Sequence, residues 1–195
     1  NNETGAVNDI AAIAKRVKAK NPRAVFLSDG VQAFGKLPFR LTKEIDFYAV
    51  SAHKIGGIKG TGALIRRKGC TVLAPYVIGG GQESGMRSGT ENTFGIAAFF
   101  HAAEEKFSSL RVDGERLKGY REQLWEMLDH SIFTRISPEN GSPYILTVSA
   151  KGLRGEILQR ELWDRGVAVG TGSACSSKKP FSRVIEACGY DEAAL

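Results

Sequence analysis

Ile10, Ile13, Ala14 and Val17 recur at the spacing of one helical face, and Asn8 or Asp9 stands where an N-cap belongs, so a helix is predicted over about 9–20. Ala24–Leu27 is a continuous apolar run ending in Asp29-Gly30, the pattern of a short, fully buried strand. Phe47–Val50 ends likewise in Ser51, and Gly62–Ile65 is a third candidate strand. From about 93 to 129 the period becomes helical again, through Phe94, Ala97, Ala98, His101, Leu110, Leu117, Tyr120, Leu124 and Leu128, with a bend or break expected at Gly114. Beyond it the chain reads as strand (Tyr144–Ser149), helix (Gly155–Arg165), strand (Val167–Val169) and short helix (Phe181–Cys188). Buried strands ending in polar residues between helices predict an α/β layer whose ligand lies at the carboxyl edge.

Both ends look cut. Asn1–Gly5 is a polar turn of the kind that follows a strand, and Asp191–Leu195 resembles the cap and first turn of a helix. The chain is therefore expected to be a fragment, or one part of a divided protein. Its 27 Lys and Arg against 21 Asp and Glu give a net charge of +6, but the charges are scattered and the densest run is Arg66-Arg67-Lys68. That distribution argues against direct nucleic-acid binding, whereas an anionic ligand such as a phosphate would use part of the excess. There is no run of membrane-spanning length and no secretion signal in the first residues, so no membrane partner is expected. The three cysteines, Cys70, Cys175 and Cys188, form no CxxC pair. This fits a reducing cytoplasm and neither a disulfide scaffold nor a metal site.

Three stretches carry chemistry. In the first, Asp29-x-x-Gln32 precedes Ser51-x-His53-Lys54. A lysine in a turn after an apolar strand can form a Schiff base with an aldehyde cofactor. An aspartate one strand away can keep a pyridine nitrogen protonated, which is the pair that pyridoxal phosphate requires. Gln32 can donate to the cofactor's phenolic oxygen, and Ser51 and His53 can bind its phosphate. Singly, a strand-end Asp is more often a turn former and a His-Lys pair a surface feature; the conjunction changes that weighting. The second stretch, Gly79–Thr90, is glycine-rich and brings Arg87, Ser88 and Thr90 to the start of a predicted helix, where anions bind, although a surface loop has the same composition. In the third, Gly170–Ser177, Cys175 sits among small residues as a candidate nucleophile. Cys70 and Cys188 read as inert.

With these in order, the chain resembles the cysteine desulfurases of the pyridoxal-phosphate fold-type I, aminotransferase class V superfamily. The resemblance rests on NNETG, SDGVQAFGKLPF, SAHKIGGIKGTGAL, GGGQESGMRSGTEN and GTGSACSS, from residue 1 to about 177. The SACSS loop is similar to that of the subgroup serving iron–sulfur cluster assembly and tRNA thiolation. The resemblance implies part of a large, mostly parallel α/β domain over 1–110, a connecting helix over 111–130, and an incomplete small α+β domain with the nucleophile loop over 131–195. It implies Lys54 as the Schiff-base lysine and proton shuttle. Asp29 would pair with the ring nitrogen, and Gln32 and Asn2 would lie at the ring oxygen. Ser51 and His53 would hold the phosphate, Thr90 would reach the phosphate of a neighbouring subunit in a homodimer, and Cys175 would take sulfur from L-cysteine and pass it to an acceptor or scaffold protein. His53, beside Lys54, is also a candidate catalytic residue. The family's upstream phosphate turn, its ring-stacking histidine and its carboxylate-binding arginine match nothing here. The chain alone is thus expected to be inactive or very weak. Gly30 stands where the family commonly has Ala. Selenocysteine lyase, a class V aminotransferase, a non-catalytic sulfur-transfer or dimerisation scaffold, and a generic phosphate-binding domain remain the alternatives.

Overall fold

The computed structural model describes residues 1–70, 73–172 and 182–190. Cys175, Phe181 and the expected helical turn at 191–195 lie outside them. The chain divides into two compact units, one of Asp9–Arg111 and one of Asn1–Asn8 with Val112–Leu195.

The first unit begins with helix α1 (Ile10–Lys20), capped by Asp9, whose carboxylate accepts from Ala12 N–H. Of the expected apolar face, Ala14 is fully buried, Ile10 and Val17 are half-buried and Ile13 is exposed. A three-stranded sheet follows, in the order β1 (Leu27–Asp29), β2 (Phe47–Ser51), β3 (Gly62–Arg66). β1 and β2 run parallel, with Leu27 opposite Phe47 and Asp29 opposite Ala49. β2 and β3 run antiparallel, because the short turn between Ser51 and Gly62 leaves no room for a crossover. Gly62 is needed there: a Cβ on it would stand 2.6 Å from the Val50 carbonyl oxygen.

The central strand matches its apolar sequence, with Phe47, Tyr48 and Val50 buried. The first strand does not. It lies at Leu27–Asp29 rather than over Ala24–Leu27, and Leu27 is 53% exposed, with Val25 and Leu64 also exposed. Continuous apolarity anticipated two covered faces, but within this chain β1 and β3 are the outer strands. The N–H of Phe47 is bonded to Phe26 O, and Phe26 N–H is bonded to the Asp46 side chain, so the chain before β1 is held without a strand ladder.

A buried carboxylate ties these pieces together. Asp46 accepts from Lys18 Nζ at 2.5 Å, Arg67 Nη2 at 2.8 Å and Phe26 N at 2.9 Å, joining α1, the start of β2 and the end of β3. Burial opposes its charge, but the bonds from Lys18, Phe26 and Arg67 prevail and hold its pKa at about 2. Beside the sheet, Phe34 packs against Phe39, Phe99 and Phe107, and Phe39 stacks on Tyr48 with centroids 4.8 Å apart, which fixes residues 30–39 against the segment 99–107.

Helix α2 (Thr93–Met127) runs unbroken through Gly114. One glycine costs a helix only about 1 kcal/mol, and a helix of this length absorbs it. Phe94, at 76% exposure, and Leu124 leave its expected apolar face partly uncovered.

In the second unit, β4 (Phe133–Arg135) pairs antiparallel with β5 (Val148–Ala150), followed by α3 (Gly155–Trp163) and α4 (Arg183–Ala187). The strand expected over Tyr144–Ser149 is thus shorter and displaced to Val148–Ala150. None forms at Val167–Val169, where Val169 O accepts from the Gln159 side chain instead of from a ladder. Cys188 is not buried in a helix; it is exposed at the C-cap of α4. Arg121, nearly fully buried, donates to the carbonyls of Ser142 and Glu139 and to Glu122. Arg135 grips Glu122 from the other side at 2.7 and 2.9 Å. No helix among the described residues is long and apolar enough to cross a membrane.

Candidate active site

The parallel pairing of β1 with β2 puts the carboxyl ends of both strands at one edge of the sheet. Asp29 closes β1 directly opposite Ala49, and the N–H of Gly30 continues the ladder to Ala49 O at 2.8 Å. β2 ends two residues later at Ser51, and a 3₁₀ turn, Ala52–Lys54, follows at once. In that turn Ala52 and Ile55, three apart, face inward and are buried, so His53 and Lys54 are turned outward and exposed. The turn is fastened by Ala52 N–H to Thr61 O at 3.0 Å and Gly57 N–H to Ala52 O at 2.9 Å. Ser51 is half-buried beside it.

Asp29 is exposed, and its Oδ1 accepts from Val31 N–H at 2.9 Å. It therefore forms a turn, as strand-end aspartates often do, and still presents a second carboxylate oxygen at the edge. Gln32, half-buried on the turn after Gly30, accepts from Lys36 Nζ through Oε1 at 3.1 Å. Gly30 itself is buried, because Tyr48 fills the space a side chain there would need: a Cβ would lie 1.9 Å from Tyr48 Cζ. The Tyr48 hydroxyl is held above its ordinary pKa by burial and then by the charge of Asp29. The Ala-to-Gly departure thus has a local steric reason.

The glycine-rich stretch is held by contacts within itself, and the residues just after it reach the sheet edge. Val77 and Arg87 form an isolated parallel bridge, Ser88 is buried, and Gly89 N–H reaches Gln82 Oε1 at 3.3 Å. Glu83 and Ser84, though not glycines, adopt left-handed backbone at φ 51° and 57°. Arg87 bonds the carbonyl of Ser88, which takes one of its donors from the anion-binding role its sequence suggests. Asn92 caps α2 through Gly95 N–H at 3.0 Å and contacts Thr61 beside the Ser51–Gly62 pair, so Thr90, exposed, lies in the segment entering that edge.

Asn2 belongs to the other unit. It is exposed on a turn in which Asn1 Oδ1 accepts from the N–H groups of Glu3 and Thr4, and Glu3 and Thr4 are buried. Asp29, Gln32, Ser51, His53, Lys54 and Thr90 are thus carried by one unit and Asn2 by the second. Lys36 was not singled out from sequence, since a lone lysine reads as a solvated cation; its position four residues after Gln32 on a turn was the available signal.

The aminotransferase class-V profile matches residues 1–189, and the chain belongs to that family. Among curated relatives it is 39% identical over 197 residues to the cysteine desulfurase IscS of Photorhabdus laumondii and 38% identical to that of Escherichia coli, in each case over 98% of this chain and 48% of the relative. Among solved structures it is similar to a NifS-like protein (TM-score 0.88, 35% identity, all of this chain and 51% of that one). A second is described as SspA in complex with cysteine (TM-score 0.76, 30% identity, all of this chain and 54% of that one). The chain spans about half the length of the curated relatives it matches.

Proposed function

We propose that the intact protein is a pyridoxal-phosphate-dependent cysteine desulfurase that converts L-cysteine to L-alanine and carries the sulfur as a persulfide on Cys175. The observation that supports this best is the β1–β2 register, which brings Asp29 and the Ser51–Lys54 turn to one carboxyl edge. The donor set there fits pyridoxal phosphate. A carboxylate suits the ring nitrogen, an amide the ring oxygen, a primary amine the aldehyde, and a hydroxyl with an imidazole the phosphate. When bound, the group supplies an electron sink for charge developing at the substrate's Cα.

In this reading Asp29 holds a proton at the ring nitrogen, and Gln32 and Asn2 orient the ring through its oxygen. Ser51 and His53 anchor the phosphate, with Thr90 serving a second copy of the chain. Lys54 would hold the cofactor through its amine, and that same amine would move protons at the substrate's carbons. The Cys175 thiolate attacks the substrate sulfur: an S–S bond forms, the C–S bond breaks, and its electron pair returns to carbon, which is protonated to give alanine. The persulfide then passes to an acceptor thiol by exchange. The same proposal includes a cytoplasmic location, a homodimer with shared sites and an acceptor or scaffold partner. Residues 1–110 would be part of the cofactor domain, 111–130 the connection and 131–195 part of the small domain.

The test is alanine release from L-cysteine by the intact protein, together with a Cys175→Ser variant. The proposal expects the variant to bind pyridoxal phosphate normally and to release almost no alanine. Full cysteine turnover by that variant would contradict it and favour another class V reaction.

A further inference from the structure

Residues 30–37 wind as a helical turn, with Phe34 N–H bonded to Gly30 O at 2.8 Å and Leu37 N–H to Ala33 O at 2.9 Å. Gln32 and Lys36 therefore lie one turn apart on the same side, and Lys36 Nζ reaches Gln32 Oε1 at 3.1 Å. An ammonium has donors only, so it selects the carbonyl end of the amide. The Gln32 Nε2 group is turned the other way with both its N–H donors. The turn is clamped from behind: Gly35 abuts Ile55, just beyond Lys54, and Lys106 on α2, with a Cβ position 3.0 Å and 3.2 Å from their side chains. An exposed lysine pair of this spacing contributes only a few tenths of a kcal/mol and orients little. Lys36 differs, because it is half-buried. Burial, then the charges of Lys54 and Lys106, hold its pKa below the ordinary value, which puts the Lys54 amine within electrostatic reach.

We propose that Lys36 is a positioning residue: by holding the carbonyl end of Gln32, it aims the amide N–H groups at the cofactor's ring oxygen. The inference rests on the pyridoxal-phosphate reading and adds to it a residue that touches neither substrate nor cofactor.

The test uses the intact protein with pyridoxal phosphate as the probe, measuring its dissociation constant by protein fluorescence and the pH midpoint of the visible spectrum of the lysine-bound cofactor. Lys36→Met should weaken binding about three- to tenfold, the range one hydrogen bond supplies, and shift the spectral midpoint. Lys36→Arg should restore both to within about twofold, since a guanidinium is also a donor only. In a Gln32→Leu background Lys36→Met should change neither, because the two residues act as one unit. Unchanged binding and spectrum in Lys36→Met would overturn the role of Lys36, as would equal losses with and without Gln32. Wild-type protein that binds no pyridoxal phosphate would overturn the parent reading as well, so the two failures are told apart by the wild-type control.

Discussion

Replacing Gly30 by Ala tests the packing that places Asp29. The added Cβ would stand 1.9 Å from Tyr48 Cζ, 2.2 Å from Cε1 and 2.3 Å from the hydroxyl oxygen. Carbon atoms pack at about 3.5–4.0 Å, so the ring or the strand must move by about 1.5 Å or more. Neither moves freely. The ring is 1% exposed and stacked on Phe39, and Gly30 is bonded through its N–H to Ala49 O. Overpacking of this kind costs about 1–3 kcal/mol, and this site belongs at the upper end. Alanine also restricts the unfolded chain, which returns about 0.4–1 kcal/mol. Gly30→Ala should therefore destabilise by about 2 kcal/mol, read in urea as a lower midpoint at an unchanged slope. In a Tyr48→Leu background the clash is removed, and the same substitution should be neutral or slightly stabilising. An equal cost in both backgrounds, or no cost with Tyr48 present, would show that the Tyr48 ring does not confine residue 30.

Asp46→Asn should cost about 2 kcal/mol near pH 6, less than a fully enclosed pair because Lys18 and Arg67 remain partly solvated. The folded pKa of about 2 lies below the ordinary 3.8, so the contribution is complete above pH 3.8 and is lost as pH falls through about 2. Urea titrations should accordingly show the gap between wild type and variant closing over that window. Arg121→Ala strands the Ser142 and Glu139 carbonyls and leaves Glu122 to Arg135 alone, with an expected loss of about 3 kcal/mol by the same assay. Asp29→Ala should weaken pyridoxal phosphate binding at least about tenfold while leaving the melting temperature of the cofactor-free protein within a few degrees, since the hydrogen bond its carboxylate makes to Val31 N–H is an exposed turn contact.

What could be read from the sequence was whatever local pattern determines. Asp9 and the apolar face after it marked α1, and the run before Ser51 marked the buried central strand. Asp29, Ser51, His53 and Lys54 were visible because strand ends in an α/β layer put polar residues at one edge. The third strand lies where its run Gly62–Ile65 put it, one residue longer, whereas the first is displaced to Leu27–Asp29 because the apolarity of Ala24–Leu27 belongs to a face that this chain does not cover, as the exposure of Val25 and Leu27 shows. β4 was missed because a three-residue strand carries no usable period, and Gly114 was overread because a helix of 35 residues absorbs one helix-weakening residue. The Asp46 hub and the Lys36–Gln32 contact depend on residues brought together by the fold or by a turn whose winding the sequence did not announce.

The most direct measurement is borohydride reduction of the intact protein with bound pyridoxal phosphate, followed by peptide mass mapping. The expected result is a single stable phosphopyridoxyl adduct on the amine of Lys54, sharply reduced in Asp29→Ala. An adduct on another lysine, or none at saturating cofactor, would contradict it.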